Sequence, residues 1–208
     1  MLMPMLQARN IAAVSQDDPL GAPGLVSLGM PDAEAMSCAI DELVARGHRS
    51  IGVLSGPTEN TRPIADRLAG GLARLSEHGI RLDAHGVAET ADYSMETARS
   101  ATRQLLKDNP SITAVACTSD GLAIGVIAEC ASQGLRVPDD ISVTGCGGTV
   151  MGQYVYPSLA TVRLPFEDLG HVAADQLLGI INEQPMPPTH QFQYNFELGD
   201  SVRDVCMG

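Results

Sequence analysis

The chain has 208 residues, 44% of them hydrophobic, enough for one large domain or two small ones burying roughly 70% of the unfolded surface. Thirteen Lys and Arg against 25 Asp and Glu leave a formal charge of −12. With no basic cluster to offset it, this balance excludes a phosphate-seeking nucleic-acid surface within the chain. No apolar run approaches the ~18 residues of a membrane span, and the start MLMPMLQARN turns polar too soon for an export signal; the expectation is a cytoplasmic protein with no membrane partner.

Gln7 to Val14 reads as a helix end, a cap at Asn10 and a short strand. A Pro- and Gly-dense loop, DDPLGAPG, leads to a strand at Leu25 to Leu28. Asp32 is placed to cap a helix Ala33–Arg46 whose Met36, Ile40, Leu43 and Val44 form one stripe. Ile51 to Leu54 is a buried strand, followed by a helix from about Pro63 to Gly79 and a short strand near His85 to Glu89. Tyr93 lies in the turn before a helix Ser94–Asp108, which Asn109–Pro110 ends.

The centre of the chain is Thr113 to Gly148. Ile112 to Cys117 is a doubly buried strand, Thr118, Ser119 and Asp120 offer caps, and Leu122 to Ser132 has helical spacing. Gly134 and Pro138 stop that helix; Ile141 to Val143 is the next strand, ended by a loop containing Gly145, Gly147 and Gly148. Two buried strands joined through a helix run parallel, and ligands of such sheets sit beyond the strands' carboxyl ends. A strand at Leu159 to Val162, a helix from about Pro165 to Asn182 with Leu169, Val172, Ala173, Leu177 and Ile180 inward, and a prolyl loop at 185–188 follow. Phe192, Tyr194 and Phe196 alternate like a strand, and Asp204 to Gly208 reads as a loose tail. The alternation of strand and helix predicts an α/β fold, parallel sheets flanked by helices.

Five cysteines, at 38, 117, 130, 146 and 206, are odd in number and show no Cys-x-x-Cys spacing, so buried reduced thiols are expected. The five histidines are scattered without metal-ligand spacing, no nucleophile elbow occurs, and Gly145-x-Gly147–Gly148 lacks the helix of a dinucleotide fingerprint. The chain is therefore expected to be neither an enzyme nor a holder of a cofactor or metal.

The segments ARGHRSIGVLSGP, DRLAGGLARL, TAVACTSDGLAIGVIAECASQGLRVPDDISVTG and YPSLATVRLPFEDLGHVAADQLL, in that order, resemble the LacI/GalR (lactose/galactose repressor) family of bacterial transcription regulators, from about Leu6 to Arg203. GLRVPDDISVTG is the specific part. The resemblance implies a two-lobed sensor domain like periplasmic binding proteins, with residues 1–46 and 163–193 in an incomplete N-terminal lobe, 47–162 as the C-terminal lobe, and 194–208 as last strand and tail. DNA is then reached only through an N-terminal helix-turn-helix that this chain lacks. The resemblance also implies a homodimer, for which Val126, Ile127 and Cys130 supply an apolar set.

By the same resemblance the effector, a small polar molecule, sugar-like or anionic, meets Arg67, Tyr93, Ser119, Asp120, Gly147 and Phe166. Each has a plainer reading: a solvated arginine, a loop tyrosine, helix caps at Ser119 and Asp120, and core packing at Phe166. Gly147 and Gly148 replace two aspartates usual in the family. If Arg67 faces the cleft, losing that carboxylate makes it locally positive and favours an anion. The expected function is effector sensing for a transcription regulator; the alternatives are a stand-alone solute-binding protein and a non-functional remnant.

Overall fold

A computed structural model describes residues 3–9, 11–16, 25–59, 61–83, 85–184 and 190–205. In chain order the elements are α1 (Met3–Ala8), β1 (Ala13–Gln16), β2 (Leu25–Leu28), α2 (Asp32–Ala45), β3 (Ile51–Ser55), α3 (Arg62–Glu77) and β4 (Val87–Glu89). Then come α4 (Met95–Asp108), β5 (Ala114–Cys117), α5 (Asp120–Ser132), β6 (Ser142–Gly147), a 3-10 turn (Val150–Gln153), β7 (Ala160–Arg163), α6 (Phe166–Ile181) and β8 (Asn195–Glu197). Asn10, the loop at 17–24, the prolyl loop at 185–189 and Cys206 lie outside the described residues.

The chain divides into two units: residues 1–31 with 165–193, and residues 32–164 with 194–208. The larger unit is built on a six-stranded sheet of order β4-β3-β5-β6-β7-β8, parallel from β4 to β7 and closed by antiparallel β8. Every residue of β3, β5 and β6 is buried, as apolar strands covered on both faces must be. Alternate residues serve opposite layers: Ile51, Val53, Ala114 and Ala116 pack with Met36, Ile40, Leu43 and Leu75 of α2 and α3. Leu54, Val115, Cys117 and Val143 pack with Ala98, Leu105, Leu122 and Val126 of α4 and α5.

Close crossings hold each helical layer. A Cβ on Gly70 would lie 2.2 Å from the Ala33 carbonyl oxygen, so only glycine lets α3 approach α2 this closely. The Ser37 hydroxyl lies within hydrogen-bonding distance of both the Ala33 and Gly70 carbonyls. On the other face the buried Glu129 of α5 accepts from Arg99 and Arg103 of α4 and from Gln133.

The smaller unit pairs β1 parallel with β2 and covers them with α6, around Leu28, Leu169 and Phe192. Along α6 the buried positions are Leu169, Gln176 and Gly179.

Four expectations are corrected. The division of the chain assigns α2 to the larger unit, although residues 1–46 are expected to form one lobe; its apolar stripe is covered by α3 and the strands of the larger sheet. Val126, Ile127 and Cys130 do not form a dimer face, because they are buried in the core of their own unit. Phe192, Tyr194 and Phe196 are not one strand: Phe192 belongs to the smaller unit's core, and β8 begins only at Asn195. Residues 204 and 205 are anchored rather than loose, with Asp204 paired to Arg46 and the Val205 amide donating to the Arg46 carbonyl.

Candidate ligand-binding edge

The order β4-β3-β5-β6-β7 places a topological switch between β3 and β5, since the chain leaves β3 for one neighbour and returns to the other. The loops beyond β3, β5 and β6 therefore carry the groups best placed to meet a ligand. β6 runs further than its apolar pattern suggests, through Gly147, because parallel pairing with β7 continues as far as Arg163.

Arg67 stands in the first turns of α3, only 7% exposed. Its Nε donates to Asp32 Oδ1 at 2.6 Å and its Nη1 to the Thr118 carbonyl at 2.9 Å. Burial opposes its charge, but the carboxylates of Asp32 and Asp120 nearby raise its pKa. Arg67 is thus matched by a carboxylate, contrary to the expectation of a locally positive site, and the partner is Asp32, read from the sequence as a cap.

Asp120 opens α5 and is 1% exposed. Its Oδ2 accepts from the Thr149 amide and its Oδ1 from the Thr161 hydroxyl. A Cβ on Gly145 would lie 2.4 Å from Oδ1, so glycine there makes room for this carboxylate. Gly147, at φ +138, comes near the same group: its Cβ position is 3.7 Å from Asp120 Oδ2. Asp120 thus sets a carboxyl group beside Gly147, held by these two donors.

Ser119 caps α5, its Oγ accepting from the Leu122 amide. Tyr93 is half exposed; its ring lies over Gly56 and its hydroxyl donates to the Pro57 carbonyl at 3.4 Å, while the Gly56 amide donates to Thr118 Oγ1. Glu89 at the end of β4 accepts from the amide and hydroxyl of Thr58. Cys146 is buried beside this cluster and its thiol is pushed up to about 12 by burial, which leaves it without thiolate at neutral pH. Among the expected site residues, Arg67, Tyr93, Ser119, Asp120 and Gly147 all occupy this edge of the larger unit. Phe166, 46% exposed, is in the smaller unit, where it borders a groove with Val14, Leu28 and Leu169. Among the described residues no group of three His, Cys, Asp or Glu could hold a metal, and no helix is long and apolar enough to cross a membrane.

The family description "Periplasmic binding protein-like domain" matches residues 40–202. The probable HTH-type transcriptional repressor ExuR of Bacillus subtilis (strain 168) is 32% identical over 200 residues, 95% of this chain and 59% of that repressor. A LacI-family transcriptional regulator from Corynebacterium glutamicum is 29% identical with a TM-score of 0.82, over 96% of this chain and 63% of that one. This chain belongs to the LacI/GalR family. Its fold also matches the transcriptional regulator CelR in complex with cellobiose, at 25% identity and a TM-score of 0.86, over 96% of this chain and 62% of CelR. The chain thus spans less than two thirds of these relatives' lengths.

Three groups of this LacI/GalR edge escape a reading by resemblance: Asp32, Thr161 and Arg163. Asp32 carries a misleading signal, its place at a helix start. Thr161 and Arg163 sit in a strand whose pattern reports only burial.

Proposed function

We propose that this chain is the effector-sensing domain of a bacterial transcription regulator, and that DNA is contacted by residues outside it. The observation that carries this reading is the polar edge at the switch point, where Arg67, Asp32, Asp120 and the end of β6 with its loop to Thr149 converge. The named relatives are transcription regulators, which favours sensing over a stand-alone solute-binding role. The chain's own charge of −12 suits a sensor rather than a DNA-contacting surface.

The effector is neutral and rich in hydroxyls rather than anionic. Arg67 is already neutralised by Asp32, and Asp120 and Glu89 add negative charge, so a carboxylate or phosphate would meet repulsion. In CelR the bound molecule is cellobiose, a neutral sugar. Arg67 and Tyr93 are the groups assigned to it, one as a donor to hydroxyls and one as a ring face. The domain acts as a homodimer.

A thermal-shift panel tests this reading: glucose, galactose, ribose and cellobiose against glucose 6-phosphate and galacturonate. A neutral sugar at a hundredfold excess over its Kd adds about 2.7 kcal/mol, or a rise of roughly 5–10 °C. Arg67→Lys is expected to weaken that rise. Stabilisation by the anions alone, or by none of the panel, overturns the proposed effector class.

A further inference from the structure

The polar contacts around the end of β6 and the loop to Thr149 do not stop at the ligand edge. Thr161 Oγ1 donates to Asp120 and lies 3.4 Å from the Gly148 amide, which donates to it. Arg163 Nη1 donates to the Gly148 carbonyl at 2.7 Å. The same guanidinium forms a two-pronged pair with Glu197, Nε to Oε1 and Nη2 to Oε2. A Cβ on Gly148 would lie 2.6 Å from the Arg163 Cα, so the loop rests directly on this residue.

The position of Arg163 and Glu197 in the chain gives this network its meaning. The chain leaves the larger unit after Leu164 and re-enters it at Tyr194. Arg163 is thus one residue from the exit, and Glu197 lies in the strand formed directly after re-entry. Their strands pair antiparallel, Arg163 opposite Asn195 and Thr161 opposite Glu197. An Arg fork has a fixed plane, so tilting β8 against β7 moves the donor that holds Gly148. We infer that Arg163 is a positioning residue that couples the Gly147–Thr149 loop to the two linking segments, through simultaneous bonds to the Gly148 carbonyl and Glu197.

Coupling of this kind is reciprocal: a ligand that fixes the loop biases the linkers, and a change at the linkers alters the loop. The inference rests on the reading of this edge as a ligand site, but its test needs no ligand, so the two fail separately. Amide hydrogen exchange is followed by NMR on the full chain for the natural sequence, Glu197→Gln, Arg163→Lys and Asp120→Asn. Glu197→Gln touches no loop atom, yet the Gly148 and Thr149 amides are expected to exchange at least about threefold faster while β5 amides are unchanged. Asp120→Asn is expected to speed exchange in β8 by a similar factor. A purely local role for the ion pair predicts faster exchange in β7 and β8 only. That result in both Glu197→Gln and Arg163→Lys, or an equal rise in β5 that marks global loosening, overturns the inference.

Discussion

At the scale of single residues, Asp120 and Arg67 decide what the site can hold. Each is buried, and each is tied to groups that come from other strands or helices. Restoring the family's aspartate by Gly147→Asp should therefore fail to build a sugar acceptor. The new side chain would require φ +138, a conformation side chains rarely adopt, and would bring a second carboxylate beside Asp120. The expected cost is about 1–3 kcal/mol by urea unfolding at pH 7.5. A stability equal to the natural chain's would contradict this account.

His48 gives the protein a second residue-level property. It is 1% exposed, with Nε2 donating to the Arg203 carbonyl and Nδ1 2.9 Å from Thr113 Oγ1. Burial lowers its pKa, the Arg203 carbonyl and Asp204 opposing this and the cations Arg203 and Arg46 adding to it. Since the folded pKa lies below the unfolded one, the unfolded chain binds the extra proton first as pH falls. Stability is therefore lost as pH drops below about 6.5, by at most about 1.4 kcal/mol per pH unit for one proton. Unfolding curves between pH 7.5 and 5.5 should show this slope, and His48→Gln should flatten it.

At the scale of elements, the helical layers depend on small residues where backbones meet. Gly70→Ala forces a methyl against the Ala33 carbonyl and is expected to cost about 1–3 kcal/mol, a fall in Tm of roughly 3–10 °C. Gly121→Ala, whose Cβ meets nothing within 4 Å, is the control and should be neutral or slightly stabilising. Equal melting temperatures for the two variants would refute the close-packing account. Most strands and helices were legible because β3, β5 and α2 to α5 bury regular apolar patterns. The end of β6 and the start of β8 were not. Gly145 and Gly147 look like loop glycines, and the aromatic alternation at 192–196 straddles a passage between units. Backbone pairing with β7, which no side-chain pattern records, sets both boundaries.

For the whole molecule, association is the property to measure. With Val126, Ile127 and Cys130 buried, a homodimer must use another surface. Val150, Met151, Tyr154 and Tyr156 are all largely exposed within seven residues, Tyr156 to 95%. The proposed homodimer is expected to pair through this patch. Sedimentation at tens of micromolar, roughly the range of weak pairs, should show a dimer that Tyr154→Asp with Tyr156→Asp dissociates. A natural chain that stays monomeric, or a doubly substituted one that stays dimeric, would refute this.

The sequence by itself determined the α/β class, the succession of elements, the family and five of the polar or glycine positions at one sheet edge. The class and the elements follow from local periodicity and capping chemistry, and the family and the five positions from the resemblance that motif order carries. The charge of the site was decided only by tertiary structure. Asp32 reaches Arg67 across 35 positions and Asp120 reaches Thr161 across 41. Helix crossing and strand order create those pairings, and neither leaves a mark on the residues' immediate neighbours. The place of α2 was decided the same way, because an apolar stripe says that a helix is covered and not by which unit.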